Sequence, residues 1–363
     1  MTTQWNSTDD DIENMYALSG TDYLGVLSTT RPVVEAGEWV WINRDRLDAL
    51  VDQLHAFSQE IDLKDSAQTP APAMPVWYEH YHFFDGTVRT LNWLLVLDAL
   101  NFCFWAEKDA PRWRIAYHGE ILNGYWAEAA SLKRAVEESF PLWDARYLSS
   151  MSSEDLAHIF RGVPPENGDS PVMIPLFEQR LANAHEVGNV LLERYDGQFA
   201  HVIEEAGRSA VKLALLLAEA FPSFHDVASY HKREVRFLKR AQICAADLYG
   251  AFGGKLWGAL TGMDQLTIFA DYKLPQILRH FGVLEYHPEL AERVDKLELL
   301  EPGGEEEVEI RAATVWACEL LRQVMTIAGA QSITAAEIDQ QLWLLSQNIT
   351  SMRPYHRVRT MYY

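Results

Sequence analysis

The chain has 363 residues and a formal net charge of −21, with 48% hydrophobic and 12% aromatic residues. This length can bury a full core in one large domain or in two domains that share an interface, and the apolar content excludes general disorder. No apolar run is long enough to cross a bilayer, and the acidic balance opposes binding to a polyanion such as duplex DNA.

Residues 1–20 are predicted to form a flexible acidic lead-in. No basic stretch followed by an apolar stretch opens the sequence, so we expect a cytoplasmic protein. Residues 21–76 are predicted to contain an N-terminal helical segment, with helical spacing over 38–57, and an Ala/Pro-rich loop over 64–75.

Residues 77–363 are predicted to form a helical body with a small β element near 112–122, where His118 and Gly119 suit the turn of a hairpin. Residues 77–84 are expected to form a short strand or extended segment. The chain is therefore predicted to be mainly α, with a β-hairpin in its N-terminal half. Apolar periodicity predicts helices at 87–105, 125–138, 177–194, 198–220, 227–252, 305–328 and 334–348.

A mostly apolar run leads into Asp271, and an amphipathic segment with Pro275 near its start follows. Proline is tolerated in the first turn of a helix, so Asp271 falls at or just before the N-cap. Two interpretations remain open. Asp271 caps the helix, or it is a partly desolvated acid of the kind that cleaves glycosidic bonds.

Basic residues are concentrated in two places. In the predicted helix 227–252, Lys232, Arg236 and Lys239 share one face, with Lys239 at the border of the apolar side. This face is either solvated or contributes Lys239 to an interior groove. Near residue 363, His356, Arg357 and Arg359 suit either a phosphate monoester or an ion-pair network that docks this segment.

Helical spacing over 87–105 would place Asp98, Asn101 and Trp105 on one stripe. Such a stripe can recognise and stack a flat heterocycle, but the sequence alone favours the alternative explanation, hydrogen bonding between buried helices. The three cysteines lack the spacing of a redox or zinc motif and are expected in the core. No metal-ligand spacing and no phosphate-binding Gly-rich loop is present, so neither a metal nor a cofactor is expected.

Several segments between about residue 77 and the end of the chain have distinctive sequences. They include HFFDG (82–86), LDALNFCFW (97–105), FLKRAQICAADL (237–248), FADYKLPQILRHFGVL (269–284) and PYHRVRTMYY (354–363). Together these segments resemble the queuosine salvage protein family, whose fold is similar to that of helix-hairpin-helix DNA glycosylases. The resemblance implies hydrolysis of the N-glycosidic bond of queuosine 5′-monophosphate, which releases queuine, salvaged for tRNA modification, and ribose 5-phosphate.

The resemblance also implies roles for individual residues. Asp271 would be the catalytic carboxylate, since it occupies the place of the family's aspartate at a helix N-terminus. A small nucleotide, without direct contact to nucleic acid, would be the partner. The phosphate or ribose is expected to contact Lys239, His356, Arg357 and Arg359. The base is expected to contact Asp98, Asn101, Phe104 and Trp105.

Two other classes of protein remain consistent with the sequence. A DNA repair glycosylase could share the helical fold, although the net charge of −21 opposes it. A non-catalytic carrier of a nucleobase or nucleotide would use the same contacts without turnover.

Overall fold

A computed structural model of the chain describes residues 21–65, 76–166, 168, 170–327 and 333–363. The acidic lead-in and most of the Ala/Pro-rich loop therefore lie outside the described residues. Within these residues the chain forms fourteen α-helices and three two-stranded antiparallel sheets, which confirms the mainly α prediction. The likeness to helix-hairpin-helix DNA glycosylases stays a prediction.

The elements are numbered in chain order. The helices are α1 Val26–Ala36, α2 Leu47–Asp65, α3 Val88–Leu100, α4 Gly124–Glu137, α5 Ala145–Ser149, α6 Ser153–Ile159, α7 Phe177–Arg194, α8 Phe199–Glu205, α9 Ala210–Ala220, α10 Lys239–Ala251, α11 Lys273–His280, α12 Pro288–Asp295, α13 Glu305–Ile327 and α14 Ala335–Asn348. The strands are β1 Val40–Ile42, β2 Arg114–Tyr117, β3 Glu120–Asn123, β4 Val227–Tyr230, β5 Arg233–Arg236 and β6 Leu284–Tyr286.

Two helices, α3 and α13, are buried along most of their length. Helix α3 is apolar on nearly every side, which is the pattern of a helix inside a core, whereas α13 also buries charged residues, among them Glu309 and Arg311. Helix α3 packs against α7, α8 and α10, while α13 packs against α1, α2, α11 and α14. No helix in the described part of the chain combines the length and the apolar character needed to span a bilayer.

Strands β1 and β6 join segments that are far apart in sequence, with Val40 opposite Tyr286. The helical spacing predicted over 38–57 is therefore wrong at its start, and the helix begins at Leu47. The β-branched residues Val40 and Ile42 favour an extended chain once a partner strand is available.

The predicted hairpin is confirmed: β2 pairs with β3 and Arg114 lies opposite Asn123. His118 and Gly119 form its turn with φ values of 45° and 88°. Positive φ at both central residues matches the right-handed twist of the two strands, and glycine adopts it without steric strain.

The helix predicted over 227–252 is wrong in its first half, where β4 and β5 form a second hairpin. His231 and Lys232 turn the chain with φ values of 48° and 64°, and α10 begins only at Lys239. Lys232, Arg236 and Lys239 therefore do not share a helical face.

Helix α3 ends at Leu100, five residues before the end of the predicted helix. Asn101 is its C-cap, and Cys103 has a φ of 46°, so the chain leaves the helix before Trp105. The predicted helical stripe of Asp98, Asn101 and Trp105 does not exist.

Two further predictions are also corrected. Residues 198–220 form α8 and α9 instead of one helix, and residues 77–84 contain a turn without a strand.

Candidate active site

A cavity of about 200 Å³ opens between α10, the start of α11 and α14. Aromatic side chains, among them Trp77, Phe104 and Trp343, form much of its wall. An apolar cavity with a few converging polar groups is the usual form of a small-molecule site. The charged residues in the wall are Arg112, Lys239, Asp247, Asp271, Lys273 and Asp339.

Asp271 lies at the cavity wall, immediately before α11. Its Oδ1 atom accepts hydrogen bonds from the backbone N–H groups of Lys273 (2.7 Å) and Leu274 (3.0 Å). The prediction that Asp271 caps this helix is therefore confirmed. The Oδ2 atom makes no hydrogen bond with the described residues, so the same carboxylate caps the helix and faces the cavity.

Asp271 and Lys239 influence each other electrostatically. Burial raises the pKa of Asp271, while the Lys239 ammonium and the two helix N–H groups oppose this rise. Burial lowers the pKa of Lys239, and the Asp271 carboxylate opposes this fall. The Lys239 ammonium also lies 3.4 Å from the carbonyl oxygen of Asn101, so it is held inside the protein, away from bulk water.

A buried ion pair positions both of these residues. Arg311 donates two hydrogen bonds to Asp226 (2.9 and 2.6 Å) and a third to the carbonyl oxygen of Ala270 (3.0 Å), directly before Asp271. Asp226 also accepts the backbone N–H of Lys239 at 3.0 Å. Sequence reasoning missed this pair, although the position of Arg311 next to the apolar run that follows it in α13 was an available signal.

Two of the four predicted base contacts lie at the cavity. Asn101 and Phe104 are in its wall, as expected. Asp98 has no exposed surface and does not line the cavity. Trp105 packs with Phe102 in a second apolar cluster, and Trp105 itself does not line the cavity. The prediction that Asp98 and Trp105 face the base is corrected, because Asp98 is fully buried within α3 and Trp105 lies beyond the end of that helix at Leu100.

The last basic residues are docked, but none of them lines the cavity. His356 is buried, approaches the hydroxyl of Tyr363 at 3.3 Å, and has its pKa lowered by burial to about 3, so it is neutral near pH 7. Arg359 forms an ion pair with Glu107. The buried guanidinium of Arg357 has no hydrogen-bond partner for Nε and Nη1 among the described residues. The structure therefore does not place these three residues in the wall of this cavity, where direct phosphate contacts would require them.

Two cations that sequence reasoning missed do line the cavity. The Lys273 ammonium lies 5.9 Å from the ring centroid of Tyr355, and a guanidinium nitrogen of Arg112 lies 3.5 Å from the hydroxyl oxygen of Tyr355. Lys273 follows Asp271 by two residues in the sequence, and this proximity was the signal for it. Within the described part of the chain, no group of His, Cys, Asp and Glu is arranged to hold a metal ion.

A helical protein with an aromatic cavity, a half-buried acid and nearby cations belongs to the class that binds a flat, charged small molecule. The sequence pattern of the family described as "Queuosine salvage protein" matches residues 81–363. The chain belongs to this family.

Its relatives carry one shared name, "Queuosine 5′-phosphate N-glycosylase/hydrolase". The relative from Sphaerobacter thermophilus is 46% identical over 343 residues, which cover 94% of this chain and 98% of the relative. The relative from Mus musculus is 37% identical over 75% of this chain and 82% of its own length. The relative from Schizosaccharomyces pombe is 30% identical over 91% of this chain and 99% of its own length.

Proposed function

We propose that this protein is an N-glycosylase that hydrolyses queuosine 5′-monophosphate to queuine and ribose 5-phosphate. The observation that best supports this reaction is the Asp271 carboxylate, fixed by two backbone N–H groups with one oxygen facing the cavity. The shared name of the relatives supports the same reaction.

Cleavage of an N-glycosidic bond develops positive charge on the ribose in an oxocarbenium-like transition state. An ionised Asp271 on the face opposite the base would stabilise this charge and orient or deprotonate the attacking water. Its rigid capping bonds mean that no reorganisation of the carboxylate is needed during the reaction. The Lys239 ammonium favours the ionised form of Asp271 and so supports this role.

The base of the proposed substrate is a 7-deazaguanine, which lacks the N7 atom that purines can protonate. Its departure therefore depends on hydrogen bonds or proton donation at other ring atoms. Asn101 and Phe104 are the proposed base contacts at the cavity wall. The aromatic side chains around them limit access of bulk water, which strengthens the electrostatic interactions in the site.

We assign the 5′-phosphate to Lys273 and Arg112, in place of the contacts predicted from His356 and Arg359. Both cations flank Tyr355 at the cavity wall. The buried Arg357 guanidinium is electrostatically coupled to Arg112 and Tyr355, and it adds positive potential behind them. Local positive charge of this kind allows an acidic chain to bind an anion.

The experiment that tests the reaction is incubation of the purified protein with queuosine 5′-monophosphate, with free queuine followed by liquid chromatography and mass spectrometry. Release by the wild type and its loss in Asp271→Asn would support the proposal. Tight binding without release by a folded wild type would instead identify a carrier. Retarded migration of duplex DNA at physiological salt, with no queuine release, would favour a DNA glycosylase.

A further inference from the structure

Three residues of α10 line the cavity at helical spacing: Lys239, Ile243 and Asp247. Residues four and eight positions apart lie on one face of a helix, so the three form a stripe along the cavity. The rise of an α-helix places the backbone of Asp247 about 12 Å along the axis from that of Lys239. Asp247 therefore lies at a distance from the reacting centre proposed at Asp271 and Lys239.

The Asp247 carboxyl is an unpaired acceptor in this wall. The residue is only 8% exposed, and its Oδ2 atom is buried without a hydrogen-bond partner among the described residues. Buried carboxyl oxygens in folded proteins normally have donors, and an unpaired one is destabilising. A bound ligand with N–H donors would supply a partner for this carboxyl on its cavity side.

A second carboxyl lies beneath Asp247, away from the cavity. Asp98 is fully buried, its carboxyl interacts with the Cys244 thiol, and it lies close enough to Asp247 for the two charges to repel each other. Two carboxyls in contact cannot both ionise easily, so they share one proton. Burial and the Asp247 charge raise the pKa of Asp98 well above its usual value. Asp98 therefore keeps its proton, whereas burial raises the pKa of Asp247 to about 7, so that Asp247 is partly ionised near pH 7 and can accept hydrogen bonds.

We propose that Asp247 is the specificity residue for the base, accepting hydrogen bonds from the N1–H and 2-amino groups of a 7-deazaguanine. The inference rests on the proposed function and names a residue that recognises the substrate of that same site. Asp98 acts only through Asp247 and is a positioning residue.

The order of groups along the stripe agrees with the constitution of the base. In a 7-deazaguanine nucleotide, the glycosidic bond and the 7-substituent both leave the five-membered ring. The N1–H and 2-amino groups lie on the opposite edge of the six-membered ring. With the ribose beside Asp271 and Lys239, the ring system passes Ile243 and its far edge reaches Asp247.

This contact distinguishes guanine-type from adenine-type bases. A guanine-type edge offers two adjacent donors to the carboxylate, whereas an adenine-type edge presents an unprotonated ring nitrogen there. An unpaired or repulsive polar contact in a buried site rejects a ligand strongly.

The test measures equilibrium binding by calorimetry in the Asp271→Asn background, where turnover is blocked. The probes are queuosine 5′-monophosphate, 7-deazaguanosine 5′-monophosphate and 7-deazaadenosine 5′-monophosphate. Adding Asp247→Asn should weaken the first two by about 10- to 100-fold, as for loss of hydrogen bonds to a charged group, and should reduce the preference over the third. Asp196→Asn is the matched control, because its side chain is 93% exposed and lies outside the cavity, and it should change no affinity.

Several results would overturn the inference. Unchanged affinities in a folded Asp247→Asn protein would do so. Weaker binding of queuosine 5′-monophosphate alone would place Asp247 against the amine of the 7-substituent. If Asp247→Asn does not fold, Asp247→Glu keeps the charge but displaces it, and normal affinity for both guanine-type nucleotides would then exclude the contact. Failure of the proposed function can be told apart from failure of this inference. A wild type that binds these nucleotides but releases no queuine would refute the proposed reaction and leave the role of Asp247 in base recognition intact.

Discussion

Replacing Asp271 by Asn would remove a charge and keep the shape of the side chain. Oδ1 accepts the N–H groups of Lys273 and Leu274, and an amide oxygen can accept the same bonds, so α11 stays capped. The variant loses the attraction between a carboxylate and the positive ribose of the transition state. For unit charges about 4 Å apart at an effective dielectric constant of about 20, this attraction is about 4 kcal/mol. The expected decrease in kcat is therefore roughly 10³-fold.

The assay is single-turnover release of queuine with enzyme in excess, accompanied by a thermal unfolding curve for each protein. Asp144→Asn provides the matched control, because Asp144 also caps a helix, accepting the N–H of Arg146 at 2.9 Å, but is outside this cavity. It should keep the wild-type rate. A folded Asp271→Asn protein that retained more than about a tenth of the wild-type rate would refute the electrostatic role.

Three further variants test the surroundings of this carboxylate. Because the Lys239 ammonium lowers the pKa of Asp271, Lys239→Met should raise that pKa and move the acidic limb of the kcat–pH profile to higher pH. An unmoved limb would contradict the coupling. Lys273→Gln should raise KM about tenfold for the 5′-phosphate and leave KM for the nucleoside unchanged; equal effects on both would exclude the phosphate contact. Arg311→Leu leaves the Asp226 charge buried and unpaired, so urea titration should show a loss of about 3–5 kcal/mol in the free energy of unfolding. A loss below about 1 kcal/mol would show that the pair is not needed for stability.

Elements that depend on neighbouring residues could be predicted from the sequence. The β2–β3 hairpin follows from the turn at His118 and Gly119, whose backbone conformation is set locally. The start of α11 follows from Asp271 and Pro275, because capping and proline geometry involve only the first turn. The acidic first turn of α13 similarly indicates its start near Glu305.

Elements that depend on distant partners could not be predicted in this way. Strand β1 exists because β6 pairs with it, and the periodicity around Val40 is equally compatible with a helix. The spacing of apolar residues over 227–236 is likewise compatible with a helix. The hairpin in this segment becomes evident only from the left-handed backbone of its turn, at His231 and Lys232.

The sequence alone placed Asp271 and Lys239 among the candidate site residues, because each belongs to a segment with distinctive local chemistry. Only the tertiary structure decided which other side chains meet them. It buried Asp98 behind Asp247 and turned Arg359 toward Glu107. The physical reason is that a residue's role depends on what faces it, and the segments that form this cavity come from many parts of the chain.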